Sequence, residues 1–109
     1  MFDERLQKAD ISFTASGDNT VISAPSVGRI AIDFVVLRVE APTTVQLQDG
    51  STAYGGAYAM DKHDSLSFEN SMRNRDGVIT LSLGSAFKIN STAAVQVSGF
   101  VRYRILDQS

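Results

Sequence analysis

Apolar and polar residues alternate with a period close to two along nearly the whole chain after residue 8. The clearest example is the stretch 95–105, in which apolar residues such as Val97 and Val101 share one face while polar residues such as Ser98 and Arg102 share the other. A period of two is that of a β-strand with one buried face. Only the first eight residues escape this pattern, so the sequence predicts an all-β chain.

Short segments of this kind follow one another at regular spacing and are separated by residues that favour turns. Asp49-Gly50 predicts a tight hairpin, because Asp-Gly is among the strongest short hairpin signals. Gly55-Gly56 predicts a break soon afterwards. Eight or nine short strands at such spacing are typical of a sandwich or barrel. We therefore expect an antiparallel β-sandwich that forms a single domain over residues 9–109.

The alternation changes phase within the longest early strand, residues 29–40. Ile30, Ile32 and Phe34 share a face, but the pattern breaks directly after Phe34. Such a break usually marks a β-bulge or a segment covered on both sides. The inward faces of the strands together give the predicted core: Ile11, Phe13, Ile30, Ile32, Phe34, Leu47, Leu66, Phe68, Leu81, Val97 and Val101.

Residues 1–8 form a charged segment that fits no strand pattern. Phe2 and Leu6 stand four residues apart, as they would on one face of a helix. The same two residues would equally suit an extended arm that anchors on a neighbouring molecule. An N-terminal arm and a short helix are both open at this point.

Composition excludes several classes of site. The chain has 109 residues, a net charge of −2 and no cysteine, so it has neither disulfides nor a thiolate metal site. Its positive charges are scattered, which argues against a nucleic-acid partner. The apolar run 34–37 is too short to span a membrane, and residues 1–8 lack the apolar run of a signal peptide. We expect a soluble protein, made in the cytoplasm, with neither nucleic acid nor membrane as partner.

The sequence contains little that indicates catalysis. His63 lies between Asp61 and Asp64, where an imidazole flanked by carboxylates would suit a metal ligand or a general base. A solvated loop is the simpler interpretation of one histidine without further support, and we favour it. The chain has no nucleophile elbow, phosphate-binding loop or dinucleotide fingerprint. We therefore expect no enzyme, catalytic residue, metal or cofactor.

Several residues are candidates for contacts with a partner. Tyr54 and Tyr58 flank the two glycines, where they would either stack on a sugar or a protein or fill the ends of the sandwich. Arg73 and Arg75 lie in the most polar loop, where they are either solvated or paired with carboxylates across an interface.

The closing strand adds another candidate. Phe100 is a lone aromatic residue on its polar face, where it either lies under a loop or meets another subunit. Gly99 predicts the close approach of another backbone. The complete set of interface candidates is Phe2, Leu6, Tyr54, Tyr58, Arg73, Arg75 and Phe100.

Three stretches resemble a known class of protein. They are GDNTVISAPSVGRIAI (17–32), TTVQLQDGSTAYGGAYAM (43–60) and STAAVQVSGFVRY (91–103). Together they resemble small all-β structural proteins encoded in the virion gene blocks of tailed bacteriophages. The resemblance implies a jelly-roll-like sandwich that decorates or cements a capsid, or a module of a head or tail fibre. The stretch 61–76 departs from it by its higher charge.

These observations lead to one expected function and two alternatives. The first is a virion structural protein on the outer capsid surface, which binds the major capsid protein and forms a symmetric homo-oligomer, either a dimer or a trimer. The second is a carbohydrate- or receptor-binding module of a phage fibre that uses Tyr54 and Tyr58, although the chain lacks tryptophan. The third, a small enzyme, depends on His63 alone.

Overall fold

A computed structural model describes residues 5–70 and 77–106 of the chain. These residues form nine β-strands and no helix, which confirms the predicted class and strand number. The strands are β1 (Gln7–Phe13), β2 (Gly17–Ile22), β3 (Arg29–Val39), β4 (Thr43–Asp49), β5 (Thr52–Met60), β6 (Ser65–Glu69), β7 (Ile79–Thr80), β8 (Phe87–Ser91) and β9 (Val97–Leu106).

The strands pair antiparallel in two sheets. A five-stranded sheet has the order β1-β9-β3-β6, with the short β7 also paired to β3, and a four-stranded sheet has the order β2-β8-β4-β5. Four of the pairs are nested along the chain: β4 with β5, β3 with β6, β2 with β8, and β1 with β9. The pairs β3–β9 and β4–β8 join them into the two sheets. A long antiparallel hairpin rolled into two sheets in this way is a jelly roll, which agrees with the predicted sandwich.

The core lies between the two sheets and consists of the inward face of each strand, as the period of two requires. Of the predicted core residues, Ile11, Ile30, Ile32, Leu47, Leu81, Val97 and Val101 are buried, while Phe13, Leu66 and Phe68 are partly buried against the core. The core also contains Ile22, Val35, Leu37, Val39, Val45, Met60, Ile79, Phe87 and Ile89.

Phe34 is the exception, and its predicted place in the core is wrong. The register between β3 and β9 shifts between Ile32 and Phe34, so the strand contains a bulge at Asp33. One extra residue exchanges the two faces of a strand. After the bulge Val35 and Leu37 are buried in the core, whereas Phe34 is turned to the outer face. The break in alternation therefore marks a bulge, and the bulge lies before Phe34 rather than after it.

The hairpin at Asp49-Gly50 is confirmed, but Gly55-Gly56 does not end the following strand. Gly50 takes a positive φ of 65° in the two-residue turn between β4 and β5. β5 continues through both glycines to Met60. The register to β4 shifts at this point, so the glycines form a bulge within β5.

Other boundaries differ by a few residues from those expected. β1 begins at Gln7, within the segment 1–8, and Gln7 pairs with Tyr103 of β9. Residues 1–4, including Phe2, lie outside the described residues. Within residues 78–83, only Ile79–Thr80 pairs as a strand, β7.

Gly99 lies where β9 closely approaches the backbone of β3, as its place in the strand predicted. A Cβ atom added at Gly99 would stand 1.9 Å from the carbonyl oxygen of Val36. That distance is far shorter than any van der Waals contact, so only glycine fits. The close approach is made to a strand of this same chain.

Candidate interaction surfaces

The outer face of the five-stranded sheet carries an apolar group that we call the aromatic patch: Leu6, Phe34, Val36 and Phe100. Val36 is registered with Phe100 across β3 and β9. The rings of Phe34 and Phe100 lie with their centroids 5.6 Å apart and their planes at 42°. This tilted geometry is favourable for aromatic pairs. The bulge at Asp33 creates the patch, because it turns Phe34 to the same face as Phe100.

Positive charges border the patch. Lys8 Nζ and Arg102 Cζ each lie 6.0 Å from the centroid of the Phe100 ring. A cation at this distance from an aromatic ring is attracted by its π-electrons. β1 supplies Lys8 and β9 supplies Arg102, which are registered with each other. Acidic groups lie there too, because Lys8 is paired with Asp10 at 3.3 Å and Glu69 is registered with Phe34. The patch is therefore an apolar centre with a charged border of both signs.

The patch surrounds a shallow depression with a volume of about 310 Å³. Leu6, which is 46% exposed, lies on its wall. Glu69 and Asn70, at the end of β6, contribute polar groups to the opposite side. Among the described residues, the only other sheet packs on the opposite face of this one, and no helix is present to lie on the patch. The structure thus brings two of the predicted interface residues, Leu6 and Phe100, to one surface.

An ion pair fixes the bulge beside the patch. Arg104 donates a hydrogen bond to Asp33, and the Asn70 side chain donates a second at 2.9 Å. The Asp33 and Arg104 side chains are only 21% and 24% exposed. Burial by itself raises the pKa of Asp33, but the hydrogen bonds from Arg104 and Asn70 and the charge of Arg104 together hold it below its usual value. The ionised Asp33 carboxylate therefore stabilises the folded state.

The two tyrosines lie on β5, on the side that faces the other sheet. Tyr58 is registered with the buried Val45, and its ring lies 6.0 Å from that of Phe68. It is partly buried against the core. Tyr54, registered with Leu47, remains 36% exposed. Tyr58 therefore fills the edge of the sandwich, and Tyr54 is the more exposed of the two residues.

His63 lies in the turn that follows β5. It has a positive φ of 69°, and its backbone N–H donates to the carbonyl oxygen of Val39 at 2.8 Å. Its Nε2 lies 3.5 Å from Glu40 Oε1. No group of three or more metal-ligating side chains gathers anywhere in residues 5–70 and 77–106.

The remaining predicted interface residues, Phe2, Arg73 and Arg75, lie outside the described residues. Phe34, Val36 and Lys8 were not predicted as parts of a surface. The only signal for Phe34 was the break in phase after it. Lys8 was assigned to the terminal segment rather than to a strand, so its place beside Phe100 was not visible.

A polar cleft of about 510 Å³ lies at the hairpin between β4 and β5. The residues that line it include Gly50, Ser82 and Lys88. The Asp49 carboxylate accepts hydrogen bonds from the backbone N–H of Ser82 at 3.1 and 3.2 Å and from its hydroxyl at 2.8 Å. These contacts satisfy Asp49 within the chain and tie the loop before β8 to the end of β4.

Comparisons with protein-family models, with curated proteins and with solved structures find no match to this chain. In the described part of the chain, no helix has the length and hydrophobicity needed to cross a membrane.

Proposed function

We propose that this chain is a structural protein of a bacteriophage virion that decorates or cements the outer capsid surface by binding coat subunits. The aromatic patch is the observation that carries the proposal. The resemblance of residues 17–32, 43–60 and 91–103 to virion structural proteins supplies the partner, the major capsid protein.

The composition of the patch supports protein binding. A solvated face of an antiparallel sheet normally carries polar side chains. Here Phe34, Val36 and Phe100 occupy the middle of that face and are only partly buried. Protein interfaces have an apolar, often aromatic centre with a polar rim, and arginine is enriched in them. Lys8 and Arg102 provide such a rim.

The mechanism is thermodynamic and needs no cofactor. A ligand that binds only the assembled shell stabilises the shell by mass action. A chain that bridges neighbouring coat subunits makes all of its contacts only in that state, because assembly is what brings the subunits together, so it binds the assembled shell more tightly than free subunits. Each copy then adds to the free energy that holds the shell together.

The jelly roll is compatible with this function without establishing it. Jelly rolls occur in viral capsid domains and in lectins, so the fold agrees with both the first proposal and the carbohydrate-binding alternative. The alternative requires exposed aromatic rings near the glycines of β5. Tyr58 packs against Phe68, so no second exposed tyrosine ring accompanies Tyr54 on β5. We therefore prefer the capsid-binding function to carbohydrate binding.

Co-sedimentation with capsid particles that were assembled without this chain tests the proposal. We expect the wild-type chain to sediment with the particles at saturable occupancy. Phe100→Ser should weaken binding by about tenfold or more, because central aromatic residues dominate interface energies. Tyr54→Ser, on the other sheet, is the matched control and should bind like wild type.

Circular dichroism and thermal unfolding first establish that both variants are folded. The proposal is wrong if the wild-type chain stays in the supernatant. It is equally wrong if Phe100→Ser binds as tightly as wild type. Loss of binding in Tyr54→Ser alone would favour the fibre-module alternative.

A further inference from the structure

We propose that the free edge of β5, with which none of the described strands pairs, binds the same edge of a second copy of this chain. The two four-stranded sheets would then join into one continuous sheet across a twofold axis. The inference concerns self-association of the purified chain, so it does not depend on the capsid partner proposed above.

The charge distribution singles out β5 among the edge strands of the described residues. β1, β2 and β6 also lie at sheet edges, as does β7, which has only two residues. β1 carries Lys8 and Asp10, β2 carries Asp18, and β6 carries Glu69. Charged side chains are a common means of preventing unwanted strand pairing at an edge. β5 contains no charged residue, and at nine residues it is longer than each of the others.

The backbone groups that face the free edge follow from contacts on the opposite side of the sheet. Thr92 N–H donates to the Thr44 carbonyl at 3.0 Å, and Thr44 N–H donates to Thr92 Oγ1 at 3.1 Å. The backbone of Thr44 therefore faces β8. Backbone direction alternates along an antiparallel strand, so the next residue of β4 faces β5, where it is registered with Tyr58. Consequently Ala57 and Ala59 direct their N–H and C=O groups away from β4.

The glycine bulge limits the segment that can pair. Gly55-Gly56 interrupts the register with β4, and the Gln46 side chain donates to the Gly55 carbonyl at 3.2 Å. Beyond the bulge, residues 57–60 pair with 43–46 without interruption. This segment therefore has the regular geometry that strand addition needs.

Residues 57–60 define one favourable register for a twofold pair. An antiparallel arrangement centred on Tyr58 sets Ala57 of one copy opposite Ala59 of the other. Residues that face each other in this way exchange both of their backbone hydrogen bonds. Because the two strands are identical, a charge on either alanine would occur twice in the paired segment and the two charges would repel each other. Neither residue is charged.

The side chains on both faces of the segment permit this approach. Ala57 and Ala59 are exposed and small, so they leave the outer face of the sheet unobstructed. On the other face the two Tyr58 rings would lie side by side at the axis, where cross-strand aromatic pairs are stabilising. The short segment predicts a weak dimer rather than an obligate one.

Sedimentation equilibrium over a range of protein concentrations, up to about 1 mM, tests the inference. We expect a monomer–dimer equilibrium. Ala59→Pro removes an N–H that faces the edge, a position where a strand tolerates proline. Ala57→Lys adds a charge to the paired segment. Each should raise the dissociation constant by about tenfold or more. Thr20→Lys, exposed on the opposite edge strand β2, makes the same charge change and should leave it unaltered.

Thermal unfolding establishes which variants are folded. If Ala59→Pro does not fold, the dissociation constant of Ala57→Lys alone tests the inference. Hydrogen exchange gives a second readout, because the amides of Ala57 and Ala59 should gain protection as the concentration rises. A wild-type chain that remains monomeric overturns the inference, and so does a trimer. The inference is also wrong if a dimer forms but the folded edge variants keep its dissociation constant within about twofold of the wild-type value. It is wrong as well if Thr20→Lys raises that constant as much as the edge variants do.

Discussion

The rings of Phe34 and Phe100 lie 5.6 Å apart on neighbouring strands, on the side of the five-stranded sheet that faces away from the core. Such a pair contributes about 0.5–1.5 kcal/mol beyond the area that it buries. The bulge at Asp33 is what brings the rings together, since an unbroken strand would point Phe34 into the core. The bulge, the core behind it and the surface that it creates can each be tested by substitution.

The two faces of β3 should respond differently to truncation. Leu37 is fully buried, so Leu37→Ala should lower the free energy of unfolding by about 2–5 kcal/mol. Phe34→Ala removes a larger side chain from the outer face and should cost less, about 1–2 kcal/mol, because no core cavity forms. Urea denaturation of both variants measures the difference. A larger decrease in the free energy of unfolding for Phe34→Ala than for Leu37→Ala would show that Phe34 lies in the core.

The ion pair at the bulge should make stability depend on acid pH. The folded-state pKa of Asp33 is lowered, so its contribution is present above the unfolded pKa of about 3.9 and is lost as the pH falls through the folded-state pKa. Wild type should therefore exceed Asp33→Asn in free energy of unfolding by about 1 kcal/mol at neutral pH. The difference should shrink as the pH falls below about 4.

Urea unfolding of wild type and Asp33→Asn across this pH range makes the measurement. Asp10→Asn, at an aspartate whose side chain is 74% exposed on β1, controls for the change in net charge. An advantage of wild type over Asp33→Asn that stays constant down to the lowest pH would show that the carboxylate is not stabilised as described.

Two glycines should differ sharply in their tolerance of alanine. Gly99→Ala would bring a methyl group against the Val36 carbonyl, and we expect a loss of about 1–3 kcal/mol as the strands move apart. Gly56 has no atom within 4 Å of an added Cβ and no positive φ. Gly56→Ala should therefore be neutral or stabilise by up to about 1 kcal/mol. Thermal unfolding compares them, and equal effects would contradict the close approach at Gly99.

Removal of residues 1–6 should separate folding from binding. β1 begins at Gln7, so the shortened chain retains every described strand and should keep its thermal midpoint within a few degrees. It loses Leu6 from the wall of the depression and Phe2 from the predicted interface. Its occupancy on capsid particles should therefore fall. Binding equal to that of the full chain would exclude the terminal segment from the interface.

Much of the fold could be predicted from the sequence because burial on one face imposes a period of two. Ile11, Leu47 and Val101 were placed in the core on that ground alone, and all three are buried. The Asp49-Gly50 turn was equally visible, since its backbone requires residues that accept a positive φ.

Bulges limited the prediction in two places. A bulge adds a residue without changing the composition of a strand, so the alternation before it gives no warning. Phe34 was assigned to the wrong face for this reason, and Gly55-Gly56 was interpreted as the end of a strand that continues. The candidate surfaces depend on the same two bulges and on pairings between distant segments, such as Lys8 with Arg102, which no local pattern encodes.

The proposed function is tested most directly by quantitative mass spectrometry of purified phage particles from the host that carries this gene. The account predicts that this chain is present at a fixed ratio to the major capsid protein and that the ratio persists through density-gradient purification. It also predicts that particles carrying Phe100→Ser contain much less of the chain while the host makes it in equal amount. Absence of the wild-type chain from purified particles would contradict the account.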